Sequence, residues 1–354
     1  MAADPQDNPQ DNPADPGAAD QGVGVVLDLV GAVWRFGALN AIIELGCADH
    51  LRDGPLTTTE LAARCAADEL SLGRVLRTVA STGLIATVAP DTYALTAVGT
   101  VLVDGDWARL FVQFCAEPAC WYALGALPQT VRTGRSAFEE RFGPMYDYLA
   151  AHPQVGRMFG EFMVNRSRPL AARVAQIRDF SRAATVVDVG GGDGAFLAAI
   201  LRAHPGVRGV LLERTRSLPA AREFLDAQGL AGRYELVDGD FFAAVPAGGD
   251  VYLLANVLHN WGDEEALRIL RNVRSAMAAD GQLLLVDALV PDDDRPYFPK
   301  DLDVRLLSLF GAGRERSESE YLGLLDTAGF RAARAGELAF ELSLIEAAPC
   351  PPPP

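Results

Sequence analysis

The chain has 354 residues, a formal net charge of −16 and 49% apolar residues. Its length accommodates two domains and a large core. Its acidic balance argues against a nucleic-acid partner, whose phosphates require a basic face. No charged-then-apolar leader opens the chain and no apolar run approaches the ~18 residues of a membrane span, so we expect a cytoplasmic protein with no membrane partner. The five cysteines show no metal-ligand spacing, and we expect no metal.

The composition changes along the chain and divides it into five segments. Residues 1–22 are rich in Pro and Asp and lack periodic apolar positions, which is typical of a disordered tail. A helical stretch, an aromatic helical stretch and an alternation of strands and helices follow. We therefore expect a disordered tail at 1–22, a winged-helix domain at 23–105, a helical linker and pocket wall at 106–180, a catalytic α/β domain at 181–348 and a second disordered tail at 349–354.

The segment 23–105 starts with helical periodicity and ends in strand-like runs. Its first apolar residues predict one amphipathic helix face. The later pattern predicts a helix whose start is capped by Thr57 and Glu60 at capping-box spacing, a helix over 70–79, and a hairpin of 83–88 with 91–96 across Pro90. Two short helices followed by a hairpin indicate a winged helix.

From Thr185 onward, short apolar runs alternate with helical patterns, which is typical of a parallel sheet. The last two runs follow each other closely, as in an antiparallel hairpin at the edge of a sheet. The sequence therefore predicts an α/β, Rossmann-like domain with a seven-stranded, mostly parallel sheet. The predicted strands are Val186–Val189, Gly209–Leu212, Tyr234–Val237, Val251–Ala255, Gln282–Val286, Phe330–Arg334 and Phe340–Ala347.

The most informative segment is the strand–turn–helix pattern of residues 185–197, where an apolar run reaches Asp188 and then breaks into glycines. Glycines allow the backbone to approach a ligand where a Cβ would clash. Gly190 and Gly192 fit the dinucleotide pattern G-x-G-x-x-G/A. The same loop fits D-x-G-x-G-x-G, the pattern of S-adenosylmethionine enzymes. Glu213, at the end of the next strand, suits the ribose of either cofactor, and a plain glycine turn is the structural alternative.

The end of the third strand separates the two cofactors. Asp240 and Phe241 place a carboxylate beside an aromatic ring. The carboxylate suits a hydrogen bond from an adenine amino group, and the ring suits packing on the base. Asp240 also has the context of a turn cap, which is the commoner role of Asp before an irregular segment.

Three segments, together with the winged helix, carry a resemblance to a known family. Their sequences are Gly239-Asp-Phe-Phe242, Leu258-His-Asn-Trp-Gly-Asp263 and Gly313-Arg-Glu-Arg-Ser-Glu318. They resemble the S-adenosylmethionine-dependent O-methyltransferases of plant phenolics and bacterial polyketides, in the family's order. The resemblance implies an S-adenosylmethionine-binding catalytic domain, secondary metabolism such as antibiotic biosynthesis, and a homodimer. In that family the N-terminal domain dimerises and helps to close the partner's active site.

The resemblance also implies roles for individual residues. It makes His259 the general base, oriented by Asp287 and Glu315. Asp287 is one methylene shorter than the usual Glu, and Asn260 replaces the Asp that commonly follows the histidine, so we expect orientation to depend more on Glu315. The implied cofactor residues are Ser167, Asp188, Gly190, Gly192, Glu213, Asp240, Phe241 and Trp261, and the implied acceptor pocket contains Phe159, Met163, Asn256 and Leu306.

Each role has a structural alternative. His259 has the context of a satisfied core histidine, and Glu315 that of a surface salt bridge within Gly-Arg-Glu-Arg-Ser. Met163 and Leu306 are residue types that more often fill a core than line a pocket.

The expected chemistry is an SN2 displacement, in which the protein aligns donor and acceptor and takes the acceptor's proton. A histidine of pKa ~6.5 removes the proton of a phenol of pKa ~10 at a cost of about 5 kcal/mol. The adjacent sulfonium charge reduces that cost. For an aliphatic alcohol the cost is nearer ~12 kcal/mol. We therefore expect an acidic acceptor: a phenol, an enol or a carboxylic acid.

Three other functions fit parts of the sequence. Enzymes of the same fold that use the cofactor for hydroxylation, decarboxylation or cyclisation are expected to lack the histidine. A winged-helix DNA-binding regulator would use Arg74 and Arg77, but within a strongly acidic chain. A nicotinamide dehydrogenase would explain the glycines but neither Asp240 and Phe241 nor the segment around His259.

Overall fold

The computed structural model describes residues 16–338 and 341–351. The chain divides into two compact units, Met1–Ala116 and Glu117–Pro354. Of the segments expected to be disordered, 1–15 and 352–354 lie outside the described residues, as does Phe340. Both ranges predicted to be disordered include ordered residues, because the first helix begins at Pro16 and the last strand ends at Pro349. The backbone N–H of Cys350 still donates to Gly329 O at 2.8 Å.

The first unit combines helices with an antiparallel sheet of three strands, in which the last strand of the chain order is central. The helix Trp107–Ala116, which the sequence assigned to the linker, belongs to this unit, where it packs on the first helix. The elements are α1 (Pro16–Glu44), α2 (Cys47–His50), β1 (Leu56–Thr57), α3 (Thr58–Arg64), α4 (Glu69–Ala80), β2 (Ile85–Ala89), β3 (Thr92–Leu95) and α5 (Trp107–Ala116).

The predicted winged helix is confirmed. The Thr57 hydroxyl accepts from Glu60 N at 3.2 Å, and the Glu60 carboxylate accepts from Thr57 N at 2.8 Å, so the capping box closes at the start of α3. Helix α4 begins after Asp68, whose side chain caps it. The hairpin of β2 and β3 turns at Asp91, which has a left-handed φ of 51°.

Helix α1 corrects two expectations. Its residues 16–22 are helical, and its segment Asp20–Glu44 is long and apolar enough to cross a membrane. Sequence reasoning missed this because Asp28 and Arg35 interrupt the apolar run without making the helix polar. Apolar residues occupy most of the circumference rather than one face, and within the single chain they are exposed, at 65% for Leu27 and 75% for Trp34.

The second unit begins with helices and continues as alternating strands and helices. Its elements are α6 (Pro118–Gly125), α7 (Leu127–Thr133), α8 (Ala137–Phe142), α9 (Met145–Ala151), α10 (Pro153–Ile177), β4 (Thr185–Val189), α11 (Ala195–Ala203), β5 (Arg208–Glu213), α12 (Leu218–Ala227), β6 (Tyr234–Asp238), β7 (Val251–Ala255), α13 (Asp263–Ala276), β8 (Gln282–Ala288), α14 (Phe298–Leu309), α15 (Glu318–Thr327), β9 (Phe330–Glu337) and β10 (Leu342–Pro349).

The predicted sheet is confirmed, with seven strands in the order β6-β5-β4-β7-β8-β10-β9. The first five strands are parallel, and β10 pairs antiparallel with both β8 and β9, which makes the expected edge hairpin. Alternate strand residues face two separate apolar cores. The strand order reverses between β4 and β7, and such a switch point opens a ligand crevice at the carboxyl ends of the strands.

Candidate active site

The glycine turn between β4 and α11 lies at this crevice. Gly190, Gly192 and Gly194 have left-handed φ angles of 71°, 60° and 83°. A Cβ on Gly191 would lie 2.3 Å from the carboxyl carbon of Asp188. The turn therefore requires glycine both for its backbone conformation and for its close packing on Asp188.

Asp188 is fully buried, and neither of its carboxylate oxygens has a hydrogen-bond partner of ordinary geometry among the described residues. Burial, followed by the charges of Asp193 and Glu213, raises the pKa of Asp188 to about 7. A buried carboxyl without a partner is costly unless a ligand supplies one. S-adenosylmethionine offers amino and hydroxyl donors and a positive sulfonium, whereas a pyrophosphate would add negative charge. The residues present fit the former.

Glu213 and Asp240 follow neighbouring strand ends. Glu213 accepts from Gly192 N at 3.2 Å and from Arg214 N at 2.8 Å. Asp240 Oδ1 accepts from Phe242 N at 2.9 Å, so the turn cap proposed as its structural alternative is present. Asp240 Oδ2 lies 3.2 Å from an Arg214 nitrogen. The two carboxylates are thus held in place beside the glycine loop.

An aromatic cluster borders the loop. The Phe241 ring would lie 3.3 Å from a Cβ on Gly190. The ring centroid of Trp261 lies 6.0 Å from that of Phe241 and 4.7 Å from that of Phe242, both in edge-on arrangements. Asn272 Nδ2 donates to Phe241 O at 2.8 Å. Phe241 therefore stands against the loop beside Trp261, and the packing of both rings on the adenine stays a prediction.

His259 lies in the short 3₁₀ turn Leu258–Asn260 that follows β7, and its side chain is buried. Its Nδ1 is 3.2 Å from Glu315 Oε1 and 3.7 Å from Asp287 Oδ1. With both acids on one ring nitrogen, we assign the proton to Nδ1, which leaves Nε2 as the acceptor. His259 Nδ1 lies closer to Glu315 than to Asp287, as expected from the shorter side chain of Asp287.

Charge tunes this cluster. Burial disfavours a charged imidazole, but Glu315 and Asp287 outweigh it, so the pKa of His259 is raised above its ordinary value. Burial also raises the pKa of the Asp287 carboxyl to about 7. Glu315 is only 5% exposed, so the surface salt bridge considered from its sequence context is wrong.

Arg316 is a residue whose importance the sequence did not reveal. It is fully buried, with its guanidinium bonded to the carbonyl oxygens of Leu258 at 3.1 Å and Trp261 at 2.7 Å. It also donates to Asp263 Oδ1 at 3.0 and 2.8 Å. The side chain therefore clamps the turn that carries His259. Only its place in a charged Gly-Arg-Glu-Arg-Ser segment marked it.

The segment around Glu315 connects several elements. Arg314 N donates to His259 O at 2.8 Å, and Glu315 N donates to Asp303 Oδ1 on α14 at 2.8 Å. Arg316 O accepts from Val290 N, just after β8, at 3.0 Å. Three consecutive backbone groups thus fix Glu315 between the histidine turn, α14 and the end of β8.

Asn256 and Arg166 stand at the other side of this cluster. Asn256 is buried with a left-handed φ of 55°, and its carbonyl accepts from Asn260 Nδ2 at 3.1 Å. Asn260, which stands where the family commonly has Asp, therefore stabilises the turn around His259 through its side-chain amide. Arg166, on α10, donates to Asn256 Oδ1 at 3.5 Å. Arg166 is not among the residues predicted from the sequence.

The remaining site residues lie on two helices. Phe159, Met163 and Ser167 are partly buried along α10. Leu306 is buried on α14. Their shared pocket and their cofactor roles stay predictions.

Comparison with known proteins decides the family. An O-methyltransferase domain model matches residues 121–331, and an O-methyltransferase dimerisation domain model matches residues 27–105. The chain belongs to the O-methyltransferase family. It is 38% identical over 327 residues to phenazine O-methyltransferase PhzM of Lysobacter antibioticus, covering 92% of this chain and 96% of the relative. It is 39% identical over 328 residues to the mitomycin biosynthesis 6-O-methyltransferase of Streptomyces lavendulae, covering 91% and 93%.

Solved structures agree. Mitomycin 7-O-methyltransferase MmcR matches with a TM-score of 0.85 at 37% identity, covering 95% of this chain and all of that one. NcsB1, solved with S-adenosylmethionine and 2-hydroxy-5-methyl naphthoic acid, matches with a TM-score of 0.73 at 31% identity, covering 89% and 95%. The O-methyltransferase therefore uses S-adenosylmethionine, which resolves the choice that the glycine loop left open.

The relatives include enzymes of phenazine methylation and of mitomycin biosynthesis, and NcsB1 was solved with a hydroxylated aromatic acid. Methylation of nitrogen also occurs among them. The 8-amino-8-demethylriboflavin N,N-dimethyltransferase of Streptomyces davaonensis is 37% identical over 299 residues, covering 82% of this chain and 85% of the relative.

Proposed function

We propose that this O-methyltransferase methylates an acidic hydroxyl, a phenol or an enol, and that His259 is the general base. The observation that carries the proposal is the contact of His259 Nδ1 with two buried carboxylates, which leaves Nε2 as the nitrogen that can take the acceptor's proton. Bound S-adenosylmethionine supplies an electrophilic methyl group. Glu315 orients the imidazole and stabilises its protonated form once the hydroxyl proton has moved to Nε2.

The charge environment supports an acidic acceptor. The raised pKa of His259 lowers the free-energy cost of taking a proton from a phenol, which is about 5 kcal/mol for an unperturbed histidine. The cost of taking a proton from an aliphatic alcohol, about 12 kcal/mol, stays too large for a single buried histidine. The phenol or enol is therefore the acceptor that this base fits.

The residues that we assign to cofactor binding lie around the crevice at the glycine loop. We assign the ribose hydroxyls to Glu213, which the Gly192 amide holds beside the loop, and the adenine to Asp240 and Phe241. Asp188 and Gly190 form the floor, and Trp261 and Ser167 complete the site. The acceptor pocket is assigned to Phe159, Met163, Asn256 and Leu306.

His259→Ala tests the mechanism. We expect kcat for a phenolic acceptor to fall at least ~100-fold, as the loss of a general base implies. Affinity for S-adenosylhomocysteine, measured by calorimetry, should stay within about 3-fold, a free-energy change below ~0.7 kcal/mol. His204→Ala removes an imidazole that bonds Ala175 O at 3.2 Å instead, and serves as the control. Near-normal turnover by His259→Ala would sink the proposal, and product NMR separates oxygen from nitrogen methylation.

We also propose that the enzyme is a cytoplasmic homodimer and that a second copy covers α1. The helix overlaps the segment that matches the dimerisation domain, and its apolar residues are exposed in the single chain, at 58% for Val26 and 52% for Val30. A monomer rarely exposes a large contiguous apolar patch. Burial by a partner subunit accounts for this helix without a membrane.

The double variant Val26→Asp/Val30→Asp tests the dimer. We expect sedimentation to shift from dimer to monomer, because two carboxylates would be buried without partners. Leu70→Asp, which is also exposed but lies on α4, is the comparison and should leave the dimer intact. A dimer that survives the double variant would show that α1 is not the contact.

A further inference from the structure

Arg166 is a charged residue that the proposed mechanism does not use. It lies on α10 between Met163 and Ser167, next to the predicted pocket, and is partly buried. We propose that Arg166 binds a carboxylate of the acceptor beside the hydroxyl that is methylated, so that the acceptors are hydroxyaryl acids. This inference rests on the proposed function, because it names the substrate class of the same site.

The guanidinium of Arg166 is poorly satisfied within the protein. Among the described residues its one hydrogen bond goes to Asn256 Oδ1 at 3.5 Å, which is beyond the usual length. Asn256 is neutral, and no carboxylate of the described residues pairs with Arg166 within 4.0 Å. A guanidinium has five N–H donors in a planar fork that matches a carboxylate, so most of its binding capacity stays available.

Burial and a like charge disfavour the charged form of Arg166, and the two carboxylates nearby do not offset them. Burial, and then the like charge of Arg305, lower the pKa of Arg166 to about 10. Glu315 and Asp287 act in the opposite direction, but Glu315 contacts His259, and the Asp287 carboxyl has a pKa of about 7. Burial of charge is costly unless a counter-ion compensates it. An acceptor carboxylate would supply that counter-ion.

Arg166 is also connected to the histidine turn, through Asn256. Asn256, which accepts from Arg166, precedes the turn that carries His259. The Asn260 side chain in that turn donates to the Asn256 carbonyl at 3.1 Å. The Arg166 charge opposes the raised pKa of His259. A carboxylate on Arg166 would neutralise this opposing charge and make His259 a stronger base. Binding of the acid therefore assists proton removal from the adjacent hydroxyl.

The test compares two acceptors that differ only in the carboxylate, 3-hydroxy-2-naphthoate and 2-naphthol. For Arg166→Met we expect kcat/KM on the acid to fall about 10- to 100-fold, as loss of a charged hydrogen bond implies. The value on 2-naphthol should not fall, because loss of the Arg166 charge leaves His259 at least as strong a base. Arg166→Lys should recover part of the loss on the acid. Arg157→Met, on the exposed side of the same helix, is the matched control and should change neither.

Binding is measured separately, by calorimetry on enzyme loaded with S-adenosylhomocysteine. If the naphthoate binds to the wild type and Arg166→Met weakens that binding, the inference stands even without turnover, and the proposed methylation fails instead. Equal losses on both acceptors would mean that Arg166 serves the histidine cluster, and would overturn the inference. Absence of naphthoate binding to the wild type at millimolar concentration would overturn it as well.

Discussion

The proposed cofactor half of the site and the proposed reacting half are held by different kinds of interaction. Around the cofactor, Glu213 and Asp240 are fixed by backbone N–H groups close to them in the chain or at the adjacent loop. Around the reaction, His259 is fixed by Glu315 and Arg316, which are more than fifty residues away. Each half contains one buried carboxyl whose pKa burial raises to about 7, Asp188 and Asp287.

This difference shows where robustness and specificity reside. A strand–turn–helix segment forms its own ligand loop, because glycine conformation and strand-end hydrogen bonds are local. The reacting half depends on side chains that reach across the fold, so one substitution can misalign the base without disturbing the cofactor. The following substitutions separate the two halves.

The largest effect is expected for Arg316→Met. The substitution removes a buried guanidinium that bonds Leu258 O, Trp261 O and Asp263, and leaves these acceptors unpaired. The side chain of Asp263 is 53% exposed, so most of the loss should come from the two carbonyl oxygens. Each unpaired carbonyl costs about 1–3 kcal/mol, and the free energy of unfolding should fall accordingly in denaturant titration.

Arg314→Met is the matched control, because Arg314 also approaches Asp263, at 3.9 Å, but has a side chain that is 39% exposed. We expect a change below about 1 kcal/mol. Equal losses in the two variants would show that Arg316 is not a special clamp.

Asp188→Asn and Asp287→Asn should divide binding from turnover. We expect Asp188→Asn to weaken S-adenosylhomocysteine at least about 10-fold, or ~1.4 kcal/mol, and Asp287→Asn to weaken it by less than about 3-fold. Asp287→Asn should instead lower kcat. Calorimetry and steady-state kinetics measure the two effects, and a reversed pattern would assign the acids to the opposite halves.

The same pair predicts a pH dependence of stability. Each folded carboxyl keeps its proton up to a pKa of about 7, whereas the unfolded carboxyl loses it near its ordinary value. The native state binds more protons in this window, so stability of the cofactor-free enzyme falls as pH rises from ~4 to ~7. Each Asn variant should show a smaller fall in thermal unfolding experiments, and an unchanged slope would contradict the assignment.

The smallest effect is expected for Glu315→Gln. Glu315 is a main cause of the raised pKa of His259. The base works only when it is neutral, so the wild-type rise of kcat/KM with pH should occur above ~6.5. Loss of the negative charge should move this rise to lower pH, with kcat reduced about 10-fold. Glu318→Gln, exposed on α15, should leave the profile unchanged.

Most of the second unit was predictable because its signals are local. Apolar runs gave six of the seven strand starts to within one residue, and the capping box fixed the start of α3. Helix α1 was harder to predict, because its apolar residues surround the helix and have no core within one chain that they could face. Helix α5 was assigned to the linker because its packing on α1 has no sequence pattern.

Residues of the candidate site were predictable where they lie at or shortly after the carboxyl end of a strand, and less so elsewhere. Asp188, Glu213, Asp240 and His259 each occupy such a position. Arg166 and Arg316 do not, because a buried arginine on a helix or loop is indistinguishable in sequence from an exposed one. Asp240 was predicted with two roles, and the turn cap is the one that its hydrogen bond displays.

The bond from Glu315 N to Asp303 on α14 has a kinetic consequence. The same helix carries Leu306, one turn further along, in the predicted pocket wall. An acceptor that displaces this helix also shifts the carboxylate that aligns His259. Such an acceptor would bind but react slowly, so the enzyme should discriminate between related acceptors through kcat more than through KM.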